Sequence, residues 1–380
     1  MRVPTLRRRR VTDQGRRPGR RSRGRVRLFR SPMAGTSTVD VVLTRLVSRF
    51  VGAAVLIAGV TGLAVDPAPA ATACSVYVSN FGSDSVSVID GSTNSVTATI
   101  ALGAAPVGVA VAPSGMIYVA LNGANTVSVI DPATNSVTAT ISVGTAPEFV
   151  AIAPSGKIYV TNLWSNSVSV IDSSTNTVTA TIPVGLQPFG IAVSESGRVY
   201  VANYAANTVS VIDGATDTVA ATIPVGVQPI VLAVSATGTV YVANFSASAP
   251  PGTVSVIDGA TDTVTATVVI GPTATPNGVA VAPSGKVYVS GYNDSTVSVI
   301  DAATNTLTAT IATGALPSAM AVTPAGSVYV AETGAGAVAV VDGATEAVTA
   351  SIPVGSQPSG VAVGCRVVPD PSPVRPTFTG

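Results

Sequence analysis

Histidine is missing from this sequence, and charge is scarce: Asp, Glu, Lys and Arg make up only 10% of its 380 residues. The first absence removes the side chain best suited to proton transfer near neutral pH. From Cys74 onward there are five basic residues, Lys157, Arg198, Lys286, Arg366 and Arg375, against 16 acids. Nucleic-acid binding is thereby disfavoured, because counterion release needs several cations facing phosphate. No apolar run is long enough to span a bilayer. The longest candidate, Val51 to Val65, contains three glycines and Thr61 and falls short of the ~20 residues required. Cysteine occurs twice, at Cys74 and Cys365.

What is abundant is small and apolar. Hydrophobic residues make up 47% of the chain, mostly Val, Ala and Ile, a β-rich composition. The basic residues crowd into the first 50 positions, which hold only two acids, Asp13 and Asp40. Residues 1–32 read as a basic, low-complexity extension or as sequence upstream of a true start at Met33. Beyond Met33, Arg45 and Arg49 precede the apolar Val51 to Val65, and small residues follow to Ala73. That order predicts a secretory signal peptide, with cleavage after Ala70 or after Ala73. Secretion is expected, and lipidation at Cys74 is not, since Ala71-Thr72-Ala73 matches a lipobox poorly. At the other end, Arg366 to Gly380 carries Pro369, Pro371, Pro373 and Pro376 and predicts an extended, disordered tail.

Between these ends one unit repeats. Tyr77, Tyr118, Tyr159, Tyr200, Tyr241, Tyr288 and Tyr329 are 41 residues apart except for one step of 47, and Asp90, Asp131, Asp172, Asp213, Asp258, Asp301 and Asp342 give the same count. Each copy contains four short β-rich runs joined by turn residues, as in Phe149 to Ala153, Ile158 to Asn162, Val168 to Asp172 and Val178 to Ile182. The runs are apolar or carry Ser, Thr and Ala where polar residues would alternate, so both faces of each sheet are expected to be buried. Sheets covered on both faces by copies of themselves predict an all-β, seven-bladed β-propeller of four-stranded antiparallel blades over residues 74–365.

Tyr159-Val160-Thr161-Asn162 spells the tetrapeptide of the YVTN repeats, and Tyr77-Val78-Ser79-Asn80, Tyr200-Val201-Ala202-Asn203 and Tyr241-Val242-Ala243-Asn244 are close variants. The chain therefore resembles the YVTN β-propeller family across residues 75–363. The resemblance implies the fold and says little of function. Phase predicts how the ring closes: the chain enters on second-strand sequence at Val76 and leaves on first-strand sequence at Ser359 to Val363, so a C-terminal strand completes the first blade. Cys74 and Cys365 then flank the place where other blades have a Pro-Ser-Gly turn, and a disulfide between them is expected there.

Strand alternation puts the loops after the second and fourth strands at one end of the ring, the top, and the loops after the first and third at the bottom. The seven aspartates belong to the bottom, where accepting turn amides accounts for them. The copies differ at the top. Phe81, Trp164, Tyr204, Phe245 and Tyr292 follow second strands, while Glu148, Phe189 and Asn277 follow the proline of the fourth-to-first loop, with Phe149 beside Glu148. Extra residues fall in two neighbouring top loops, Phe245 to Gly252 and Pro272 to Asn277. Together with Glu332, these side chains form the candidate binding face. The expected function is a secreted, monomeric, non-enzymatic binding propeller for a protein, carbohydrate or small apolar ligand, with no cofactor and no metal. The alternative is a lactonase- or lyase-like enzyme, as similar folds imply, although those sites use histidines or metal-binding carboxylates. DNA binding, known among YVTN-type relatives, ranks last.

Overall fold

The computed structural model describes residues 71–246, 251–271 and 273–368, all within one compact unit, Asp66–Gly380. The basic extension, the signal-peptide segment up to Ala70 and the prolines of the tail lie outside the described residues. Seven antiparallel sheets of four strands each make up the described part, with a single short 3-10 turn at Phe81–Ser83. Blade 3 is typical, with strands Pro147–Ile152, Lys157–Asn162, Ser167–Asp172 and Thr177–Pro183 in order from the axis outward. Its first hairpin turns at Pro154-Ser155-Gly156, where Gly156 adopts a φ of 87° and donates its N–H to the carbonyl of Ala153. A side chain would strain that backbone.

Strand alternation sorts the core. In blade 3, Ile158, Val160 and Ile171 pack against blade 2, whereas Tyr159, Val168 and Val170 pack against blade 4. Each fully enclosed Val or Ile is worth about 1.5–3 kcal/mol relative to exposure. Burial of both faces holds for the second and third strands. It fails on the outer strands, where the second position of every blade is open (Val96, Val137, Val178, Val219, Val264, Leu307 and Val348). The reason is geometric: blades splay apart with distance from the axis, so the rim has no neighbour to cover it. The same bulge recurs in all seven blades between the third and outer strands, as at Val170/Ile171. Bulges of this kind twist an exposed edge away from pairing with other chains.

Blade 1 joins the two ends of the repeat region. Strand Pro358–Val368 lies innermost and pairs antiparallel with Ala71–Asn80, so Val361 sits opposite Val78 and Cys74 opposite Cys365. The two cysteines form a disulfide with a Cα–Cα distance of 4.0 Å. Instead of turning, the ladder runs on to Ala71 and Val368. It therefore extends beyond both boundaries expected from sequence, because each strand continues to find a partner in the other. The result is a two-stranded arm projecting from the bottom of the ring.

The bottom also holds the ties between blades. Tyr159 donates from its hydroxyl to Asp217 Oδ1 at 3.1 Å in the next blade and lies near the carbonyl of Gly214, and Tyr200, Tyr288 and Tyr329 reach Gly259, Gly343 and Gly91 likewise. Burial pushes these phenols above their ordinary pKa, so they remain donors. A Cβ on Gly259 would lie 2.7 Å from the Tyr200 hydroxyl, so glycine is needed for the contact there. Where Ser173 takes that place, Tyr118 reaches only Asn176 Oδ1, at 3.3 Å. Opposite Pro132 and Ala302, Tyr77 and Tyr241 make no hydroxyl bond to the next blade. Lys157, Arg198 and Lys286 reinforce three of these ties through ion pairs to Asp217, Asp262 and Glu346.

Candidate functional site

Two families of loops build the top face. After each second strand the chain turns through a residue with positive φ, and in blades 2, 3 and 4 this is Asn125, Asn166 or Asn207. Its Oδ1 accepts the N–H of Ala146, Gln187 or Gln228 in the fourth-to-first loop. The loops are thus clamped to one another, and the side chains they carry are held in fixed directions.

The ten candidate residues divide into three groups. Phe149, Phe189 and Tyr204 form a chain of ring contacts across blades 3 and 4, with centroids 5.6 and 6.5 Å apart, and Phe245 meets Tyr292 of blade 6 at 6.4 Å. All five are half-buried and wedge the tops of adjacent blades together. Phe81 and Trp164 stand free, 42% and 62% exposed. Glu148, Glu332 and Asn277 form the polar remainder.

Glu148 is 7% exposed and accepts a hydrogen bond of 2.8 Å from Asn122 Nδ2 of blade 2. Burial raises its pKa to about 7, only partly offset by Asn122. No charged side chain shares its end of the neighbouring strands: Pro106–Val111 and Pro188–Val193 carry none, and Lys157 lies at the opposite end of its own strand. Glu332 is enclosed rather than presented, 3% exposed, with Oε1 accepting the N–H of Gly314 at 2.6 Å. It occupies the place that Asn80, Asn162, Asn203 and Asn244 fill in other blades, where Nδ2 donates to third-strand hydroxyls such as Ser167 and Ser169. Asn277 is half-buried beside the bulge at Pro276/Gly278.

Other top-face residues carry no obvious sequence signal. Leu186 and Val227, at 57% and 44% exposure, project from fourth-to-first loops where the repeat tolerates any residue. The two lengthened loops meet, since a Cβ on Gly252 would lie 2.2 Å from the carbonyl of Ala274. The bottom aspartates are all turn caps. Asp90, Asp131, Asp172, Asp213, Asp258, Asp301 and Asp342 each accept, through Oδ1, the N–H two residues on. Among the described residues no group of three His, Cys, Asp or Glu could hold a metal, and no helix is long and apolar enough to cross a membrane.

These features define a seven-bladed β-propeller of otherwise unassigned type. No family model matches the chain, and no curated protein does. Solved structures share the fold at low identity. Hydrazine synthase of Kuenenia stuttgartiensis is 23% identical, with a TM-score of 0.62 over 68% of this chain and 89% of that one. A streptogramin B lyase is 13% identical, with a TM-score of 0.61 over 76% and 91%. A functionally unknown protein from Desulfotomaculum acetoxidans is 18% identical, with a TM-score of 0.66 over 78% and 99%. Enzymes and a protein without known activity thus share the scaffold, and the disulfide fits an oxidising compartment.

Proposed function

We propose that this is a secreted, monomeric binding propeller of YVTN type whose top face recognises a protein, carbohydrate or small apolar ligand. One observation carries the reading. Among the described residues, seven of the exposed large hydrophobic side chains are the same outer-strand position repeated; the other five are Phe81, Trp164, Leu186, Val227 and Val269, and the first four project from top loops. A scaffold residue must recur in every blade, and these do not. Exposed apolar groups beside a rigid aromatic frame supply contact area at low entropic cost. The described top loops also carry no Lys or Arg, which disfavours an anionic partner.

Trp164 is the sole tryptophan, so its emission reports on the proposed surface directly. Binding of a partner captured from culture medium or cell envelope is expected to shift that emission to the blue. Replacing Trp164, Tyr204 and Tyr292 together with alanine is expected to abolish capture. Undiminished capture by this triple variant would defeat the assignment.

A catalytic reading has one observation behind it, the near-neutral pKa of Glu148, which suits an acid-base group. Turnover of a bound ligand that disappears in Glu148→Gln, with binding retained, would favour an enzyme instead.

A further inference from the structure

At the bottom of the ring, the seam interrupts the repeat beside a cavity at the inner ends of the blades. Pro132 stands where four other blades have glycine after the aspartate, and Tyr77 is left without the inter-blade tie that Tyr159 and Tyr200 make. The disulfide-bonded arm occupies the position of the missing hairpin. Between them lies a cavity of about 720 Å³, walled by Val111, Ile152 and Val193 and reached by Tyr77, Ser75 and Arg366. A second cavity of about 860 Å³ lies across the arm and shares Val363 and Cys365 with the first. No charged residue lines the second.

Charge separates the two. Of the four described basic residues, Lys157, Arg198 and Lys286 pair with acids of the next blade. Arg366 makes no ion pair with a described acid, is exposed on the arm, and acts electrostatically on the Tyr77 phenol. Ser75, two residues before Tyr77 on the same strand, lines the same cavity, and burial raises the Tyr77 phenol above its ordinary pKa. A guanidinium, a phenol and a hydroxyl thus border one cavity whose other walls include the apolar Val111, Ile152 and Val193. Glu195, lining the same cavity, repels negative charge from its own end.

We propose that the seam cavity binds an organic carboxylate with an apolar body, its carboxylate held by Arg366 and Tyr77 and its body lodged against Val111, Ile152 and Val193. The planar guanidinium fork suits a carboxylate, and a cavity that offers apolar walls beside polar groups can seat a small molecule with both characters. The site lies on the face opposite the recognition surface proposed above, so either assignment can fail alone.

The test is calorimetric titration of the full chain with 3-phenylpropanoate and with its neutral counterpart 3-phenylpropan-1-ol. The acid is expected to bind about tenfold more tightly than the alcohol, and Arg366→Ala to weaken the acid about tenfold without affecting the alcohol. Tyr77→Phe is expected to weaken the acid about threefold. Reducing the disulfide, which removes the covalent tie but leaves the backbone ladder of the arm, is expected to weaken binding of both. Arg366 is exposed, so an unchanged melting temperature checks that its variant folds. Failure of the acid to bind at millimolar concentration, equal affinity for acid and alcohol, or full affinity in Arg366→Ala would each overturn the proposal.

Discussion

At the bottom of the ring the same contact is made again and again: an aspartate caps a turn, a tyrosine crosses to the next blade, and three of the four described cations sit in ion pairs. At the top, equivalent positions hold Phe, Asn, Leu, Tyr and Thr, and a carboxyl lies buried beside a single amide donor. Blades are tied at both ends, but at the bottom the tie is one contact repeated, whereas at the top each junction is built from different side chains. Repetition and variation are thus separated along the axis of the ring.

The contrast can be broken most severely at the seam. Replacing Cys74 and Cys365 with serine releases a constraint spanning 291 residues and is expected to cost about 3–5 kcal/mol, read by chemical denaturation. Glu148 comes next, as a destabilising group on the top face. Its folded-state pKa of about 7 exceeds the ordinary 4.5, so the native state holds the proton more tightly than the unfolded chain. Stability is therefore full below about pH 4.5 and falls as pH rises through 7, by about 3 kcal/mol at pH 8. Glu148→Gln is expected to hold its melting temperature between pH 5 and 8 where the parent chain declines. A matched pair sharpens the bottom: Tyr159→Phe is expected to cost about 1–2 kcal/mol, and Tyr241→Phe, which loses no inter-blade bond, less than about 0.5. Equal losses would mean that the glycine contact carries no energy. The smallest effect belongs to Trp164→Ala, expected to change stability by less than about 0.5 kcal/mol while altering binding.

Much of this was legible in the repeat. Period and turn chemistry gave the blade count, and the phase of Val76 against Val363 placed the closing strand and with it the disulfide. The exposed outer strands were hidden, because Thr-Val-Thr-Ala-Thr reads alike whether or not a neighbour covers it. The pairing of Glu148 with Asn122 lies between copies, and a repeat aligned on itself shows only what happens within one. The tyrosine ties left a trace that could have been found: Gly91, Gly214, Gly259 and Gly343 follow the aspartate where the hydroxyl reaches the turn carbonyl, whereas Pro132 and Ala302 follow it where no tie forms.

Ala71 and Val368 lie side by side on the arm, beyond the disulfide. Whatever is joined to the propeller through either of them, whether a bead, a fluorophore or a fused domain, attaches beneath the disulfide. Immobilised by such a tether, the ring turns Trp164 outward into solvent and Arg366 toward the support.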